Sequence, residues 1–237
     1  MNRRPQAYHT SRKMGKNGFS ILPAFLVPST STLLTRSPSS WADFQPARLV
    51  VLFLIMVSVT LAACQSYQVK GTLYPELQPA PDFELTTMDG GRFRLSEHQG
   101  QIVLMFFGYT SCPDVCPTTL SEAKRVLDGL GEDAEQVAFL FITVDPERDT
   151  LEVLSNYVSV FHPSILGLSG TPDELEAVRQ AYGVIAEKEV LDQSATDYIV
   201  NHTARTFLVD KEGRLRLSYA FGTSPNDILE DIRHLLG

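Results

Sequence analysis

The rhythm of apolar and polar positions changes along this chain, and each change marks an element. Over residues 83–87 the two alternate as in a half-buried strand, and Asp89-Gly90 is a hairpin turn signal leading into 92–95. Residues 102–107 are continuously apolar between Gly100 and Gly108, the pattern of a central strand covered on both faces. From about Pro117 to Leu130 the period lengthens, and Leu120, Ala123, Val126, Leu127 and Leu130 form the inward stripe of a helix. A second buried strand follows at 137–144, a helix at 151–161 and a short strand at 165–168. Thr171-Pro172-Asp173-Glu174 combines an N-cap, an early proline and an acid at the third helical position, so a helix should run from there to about Tyr182. Residues 205–210 and 215–220 flank a turn at 211–214, and Ser224-Pro225-Asn226-Asp227 repeats the helix-start chemistry for a last helix to about Leu235. Strands alternating with helices, then a hairpin and a helix, predict an α/β domain: a central mixed sheet flanked by helices, with a β-hairpin at its N-terminal side.

The first 64 residues follow a different pattern. After Arg48, residues 49–63 are an apolar run that ends at Cys64. A membrane span needs about 20 apolar residues, so this shorter run suits the apolar region of a secretory signal better. Leu61-Ala62-Ala63-Cys64 resembles the bacterial lipobox, which implies lipid attachment at Cys64 and a domain anchored on the extracytoplasmic face of a bacterial cell membrane. The competing reading makes Cys64 a buried thiol in an uncleaved anchor helix. The Ser/Thr/Arg-rich stretch 1–48 also fits a mitochondrial presequence or a start codon placed too far upstream, and the lipobox favours a bacterium. The expected organisation is an extension and signal over 1–64, a polar linker over 65–80 and a folded domain over 81–237.

Charge narrows the function. Residues 1–64 hold seven Lys/Arg and one Asp of the chain's 20 and 28, leaving 13 basic and 27 acidic residues, a net −14, in 65–237. Such a surface repels phosphates, so nucleic acid is excluded as a partner. Neither GxGxxG nor GxxxxGK[ST] occurs. Cys64, Cys112 and Cys116 are too few for a disulfide-stapled scaffold or a four-cysteine zinc site.

Cys112 and Cys116 lie at the carboxyl end of the first buried strand, where open α/β sheets place their sites. Each precedes a proline, which disfavours helical geometry there. Residues 113–116 should therefore form a turn, with Cys116 capping a helix that begins at Pro117. A helical turn would also serve, since i,i+4 spacing leaves the Cβ atoms about 5–6 Å apart. Either way two sulfurs converge, able to close a disulfide or to grip a soft metal ion, and a helix N-terminus favours their thiolates. Of five histidines, His9 lies in the leader, His98 and His162 in connections and His234 on the last helix. His202 differs in standing just before the late strand.

Cys112-Pro-Asp-Val-Cys116-Pro, then Val144-Asp145-Pro146-Glu147-Arg148-Asp149-Thr150, then Asp197-Tyr198-Ile-Val-Asn-His202-Thr203 resemble, in that order, the Sco/SenC family of copper-binding proteins used in cytochrome c oxidase assembly. The resemblance covers about residues 80–237. It implies a thioredoxin-like fold with the His202 loop beside the cysteines, copper as the bound ion, either Cu(I) or Cu(II), and Cys112, Cys116 and His202 as its ligands. It also implies delivery to an oxidase subunit or another copper acceptor. Asn201 stands where many relatives carry Asp. Asp145 to Thr150 reads otherwise as a strand-to-helix connection in which Asp149 or Thr150 caps the helix, or as a wall of the site.

Two other functions use the same residues. A thiol–disulfide oxidoreductase would cycle Cys112 and Cys116 through a redox disulfide to reduce partner cysteines. Against it, the spacing is CxxxC, and Thr203-Ala204-Arg205 lacks the proline that thioredoxin-type enzymes carry before the equivalent strand. A peroxiredoxin-type peroxidase wants threonine three residues before the reactive cysteine, where Tyr109 stands. The leading expectation is a membrane-tethered copper chaperone, a binding protein rather than a turnover enzyme.

Overall fold

The computed structural model describes residues 50–55, 67–190 and 198–237. The chain forms two units, 1–64 and 65–237. In the first, residues 50–55 are helical and exposed, whereas Cys64 lies outside the described residues. Among the described residues no helix is long and apolar enough to cross a membrane.

The second unit runs β1 (Thr72–Leu73), β2 (Glu84–Thr87), β3 (Arg92–Arg94), β4 (Ile102–Gly108), α1 (Val115–Leu130), β5 (Val137–Thr143), α2 (Leu151–Ser159), β6 (Ile165–Ser169), α3 (Pro172–Ala181), β7 (Ala186–Val190), β8 (Tyr198–His202), β9 (Arg205–Val209), β10 (Leu215–Ala220) and α4 (Pro225–Leu236). Eight strands form one mixed sheet in the order β1-β10-β9-β4-β5-β6-β2-β3. β4, β5 and β6 are parallel, as crossover helices require, while β9 and β2 join them antiparallel. All seven residues of β4 are buried, as the continuous apolar run predicted. The capping box at Thr171 and Glu174 is formed, with Pro172 at the start of α3, and Thr150 caps α2 by accepting from the Val153 N–H. The predicted hairpin of β2 and β3 closes one edge of the sheet.

Three features depart from the sequence reading. Helix α1 begins at Val115 with Asp114 at its N-cap position, so Cys116 lies in the first turn rather than capping it. Pro117 is tolerated there because the N–H it lacks would have no intrahelical partner in the first turn. Ala186–Val190 and Tyr198–His202 pair as a separate two-stranded ribbon, β7–β8, that the sequence did not announce. Four of the five β7 residues are exposed, so no buried face imposed an alternating pattern.

The third concerns the segment read as a linker. β1 pairs with β10, and the buried Asp231 carboxylate accepts from the Tyr67 hydroxyl (2.6 Å) and from the N–H groups of Lys70 (2.9 Å) and Gly71 (2.9 Å). A buried carboxylate needs such donors, and these polar residues supply them.

Candidate metal centre

Cys112 leaves the body at the loop after β4, and Cys116 sits fully buried two residues into α1. The Cys116 N–H donates to Cys112 Sγ at 3.4 Å, so Cys112 satisfies one of the free N–H groups of the helix start. Gly108 makes room for the pair: a Cβ there would stand 2.9 Å from Cys116 Sγ and 2.8 Å from the Phe141 ring. Both thiols are free. Donation from the Cys116 thiol, then from His202 and from backbone N–H groups, holds the Cys112 thiol down at about 3. Its partner moves oppositely: donating to Cys112 and buried, the Cys116 thiol is pushed well above the usual range.

His202 ends β8 and places Nε2 3.6 Å from Cys116 Sγ, across 86 positions of sequence. Its Nδ1 lies 3.3 Å from the Thr203 carbonyl. A carbonyl only accepts, so Nδ1 can donate there, and Nε2 is the ring nitrogen turned toward the sulfurs. Phe106 and Tyr109 meet the imidazole edge-on, each with ring centroids 5.9 Å away. The sequence therefore named three residues that the fold gathers, with their ligand atoms all within 4.8 Å of one another. An ion about 2.3 Å from a sulfur and about 2.0 Å from a nitrogen would subtend the 3.6 Å edge at roughly 110°. Tyr109, Pro113, Val115, Ile199 and Asn201 line the open cleft above the cluster. Asn201 turns outward, its amide donating to Glu189 at 2.7 Å.

With this geometry in view, the comparisons decide the family. The SCO1/SenC family model matches residues 74–237. The chain belongs to the SCO1/SenC family. A SCO2-like protein of Rickettsia felis is 34% identical over 152 residues, covering 64% of this chain and 74% of that protein. Among solved SCO1/SenC structures, copper-bound ScoI of Bradyrhizobium japonicum is 40% identical, with TM-score 0.62 over 67% of this chain and all of that one. Apo Sco1 of Thermus thermophilus is 42% identical, with TM-score 0.65 over 73% and 99%. The fold is thioredoxin-like, as the resemblance implied.

Residues that the sequence reading undervalued surround the cluster. Asp149, considered only as a helix cap or site wall, is buried beneath the cysteine loop and accepts from the Thr110 N–H (3.1 Å), the Thr110 hydroxyl (2.6 Å) and the Thr143 hydroxyl (2.7 Å). Thr150, not Asp149, caps α2. The signal available was an Asp-x-x-Arg-Asp run at a strand end, with more charge than a simple connection needs.

Proposed function

We propose that this domain carries one copper ion on Cys112 Sγ, Cys116 Sγ and His202 Nε2 and delivers it to an acceptor in cytochrome c oxidase assembly, such as the subunit bearing the CuA site. The observation that carries this reading is the convergence of two sulfurs and an imidazole nitrogen within 4.8 Å. Two thiolates and an imidazole form a soft set that suits copper and rejects carboxylate-preferring Mg or Ca. A structural zinc site normally closes with four protein ligands, and three suit an ion that must leave. The similarity to copper-bound ScoI supports the choice of metal. Lipid attachment at Cys64 would tether the domain to the outer face of a bacterial cell membrane, and the net −14 of residues 65–237 favours a basic acceptor surface.

A second reading is favoured by the acidity of Cys112. Its thiolate can attack a partner disulfide, and Cys116 can then displace the mixed disulfide, leaving Cys112–Cys116 oxidised and two reduced thiols on the partner. Copper titration of wild type and His202→Ala, beside disulfide-reduction assays on both, separates the readings. Carriage of copper requires at least a tenfold loss of affinity in His202→Ala. Equal affinity together with undiminished disulfide reduction would transfer the function to thiol exchange.

A further inference from the structure

Between β5 and α2, residues 144–150 place no atom in the donor set, yet they touch the segments that carry both halves of it. On the sulfur side, Asp149 ties down Thr110, two residues before Cys112, through both the backbone N–H and the hydroxyl, and joins it to Thr143 at the end of β5. On the imidazole side, the Arg148 guanidinium donates through Nη1 to the Tyr198 carbonyl at 3.0 Å and lies over the Tyr198 ring, 3.7 Å from its centroid. Its Nε donates to the fully buried Asp145 carboxylate, which also accepts from the Tyr198 hydroxyl at 2.7 Å. Tyr198, Val200 and His202 share one face of β8 because side chains alternate along a strand. Pinning Tyr198 therefore orients the face that presents the imidazole. A planar fork that both stacks and donates along two directions is particular to arginine, so lysine should not replace it.

We propose that Arg148 and Asp149 are positioning residues that register the two halves of the donor set, Asp149 acting on the sulfurs and Arg148, with Asp145 and Tyr198, on the imidazole. The inference rests on the copper reading for its purpose, but its central measurement is made without metal. Adjacent residues then have separable effects.

In the reduced, metal-free protein, Arg148→Ala and Tyr198→Phe should speed hydrogen exchange of the 199–202 amides about tenfold, while the Cys112–Cys116 thiol–disulfide equilibrium stays within twofold of wild type. Arg148→Lys should restore little of the protection. Asp149→Asn, nearly the same size, should leave the exchange unchanged and shift the thiol–disulfide equilibrium about tenfold, roughly 30 mV. With copper loaded, Arg148→Ala should cost about ten- to a hundredfold in affinity and weaken the imidazole nitrogen splitting in the Cu(II) spectrum. Unchanged exchange in Arg148→Ala, an unchanged thiol equilibrium in Asp149→Asn, or both readouts moving together in either variant overturns the assignment. Should His202→Ala bind copper like wild type while the exchange results hold, the copper reading fails and the positioning roles stand.

Discussion

Cys116 and His202 meet across 3.6 Å, yet the structure behind each is of a different kind. The cysteine rests against β4 and β5, both built almost wholly of buried residues, and α1 packs Leu120, Ala123, Val126 and Leu127 onto the same core. The histidine is carried by a ribbon outside the main sheet. An isolated two-stranded ribbon is marginally stable in water, so this one depends on a few fastenings: buried Val200, the Arg148–Tyr198 contact, and Thr203, which exchanges hydrogen bonds with Ile185 at the ribbon's base. With two sulfurs set on the core and the third proposed donor on a separate ribbon, coordination could change from three to two without disturbing the core. Local openings of this kind cost far less than global unfolding.

The largest expected effect tests whether the sulfur side is chemically self-sufficient. Alkylation follows the thiolate, so its rate rises with pH up to the thiol pKa and then levels off. With Cys112 held at about 3, its alkylation should already be on the plateau at pH 5.5, where an ordinary thiol near 8.5 is about 0.1% ionised. Cys112 should therefore react at least a hundredfold faster than a model thiol there, and Cys116, whose pKa moves upward, should stay inert. The leading cause of this acidity is the Cys116 thiol, with His202 a smaller one, so most of the effect should persist in His202→Ala. Alkylation that vanishes in that variant would make the ribbon, not the helix start, the source of the reactive thiolate. Mass spectrometry of timed reactions reads both sites.

Stability should divide along the same line. Phe107 is fully buried in β4, edge-on to Phe207 with ring centroids 6.0 Å apart. Truncating it should cost about 3–5 kcal/mol. On the ribbon, Lys188 pairs with the exposed Glu147 at 2.7 Å and lies over Tyr198, and Lys188→Ala should cost less than about 1 kcal/mol. Urea midpoints at constant m-value measure both. Comparable losses would show that the ribbon is an integral part of the cooperative core.

The same contrast explains what the sequence disclosed. Elements that bury a face wrote it into their periodicity: the unbroken run of β4, the stripe of α1 and the box at Thr171 could each be read from side-chain chemistry. The ribbon buries almost nothing, so Ala186-Glu187-Lys188-Glu189-Val190 looked like any solvated segment. Cys112, Cys116 and His202 were found because their residue types are scarce and fell in a recognisable order. Arg148, Asp149 and Tyr198 stood inside the quoted motifs, Asp149 as a possible helix cap, but were given no positioning role, since charged and aromatic residues are common and their importance lies in long-range contacts such as that of Arg148 with Tyr198, 50 positions away. Asp231 shows the same limit at the other end of the domain: it is an ordinary helical acid in sequence and a buried acceptor for residues 161 and 164 positions earlier in structure.

A further effect concerns the point where core and site touch. Gly108 ends β4 with a negative φ, so its lack of a side chain serves space rather than backbone freedom. The Cβ of Gly108→Ala would press on Cys116 Sγ and on the Phe106 and Phe141 rings, all within 3.0 Å. None of these is the free end of a flexible chain, because both rings are buried among their neighbours. Overpacking of this kind costs about 1–3 kcal/mol, and part of the strain should fall on Cys116, whose Sγ would stand 2.9 Å from the added carbon. The variant should therefore remain folded with a lower urea midpoint and an altered thiol–disulfide equilibrium, while hydrogen exchange over 199–202 stays as in wild type. A change in ribbon exchange without a change in the thiols would mean that the added methyl is accommodated through Phe106, which touches the His202 ring, and that the two donor regions are joined beneath the site rather than only across it.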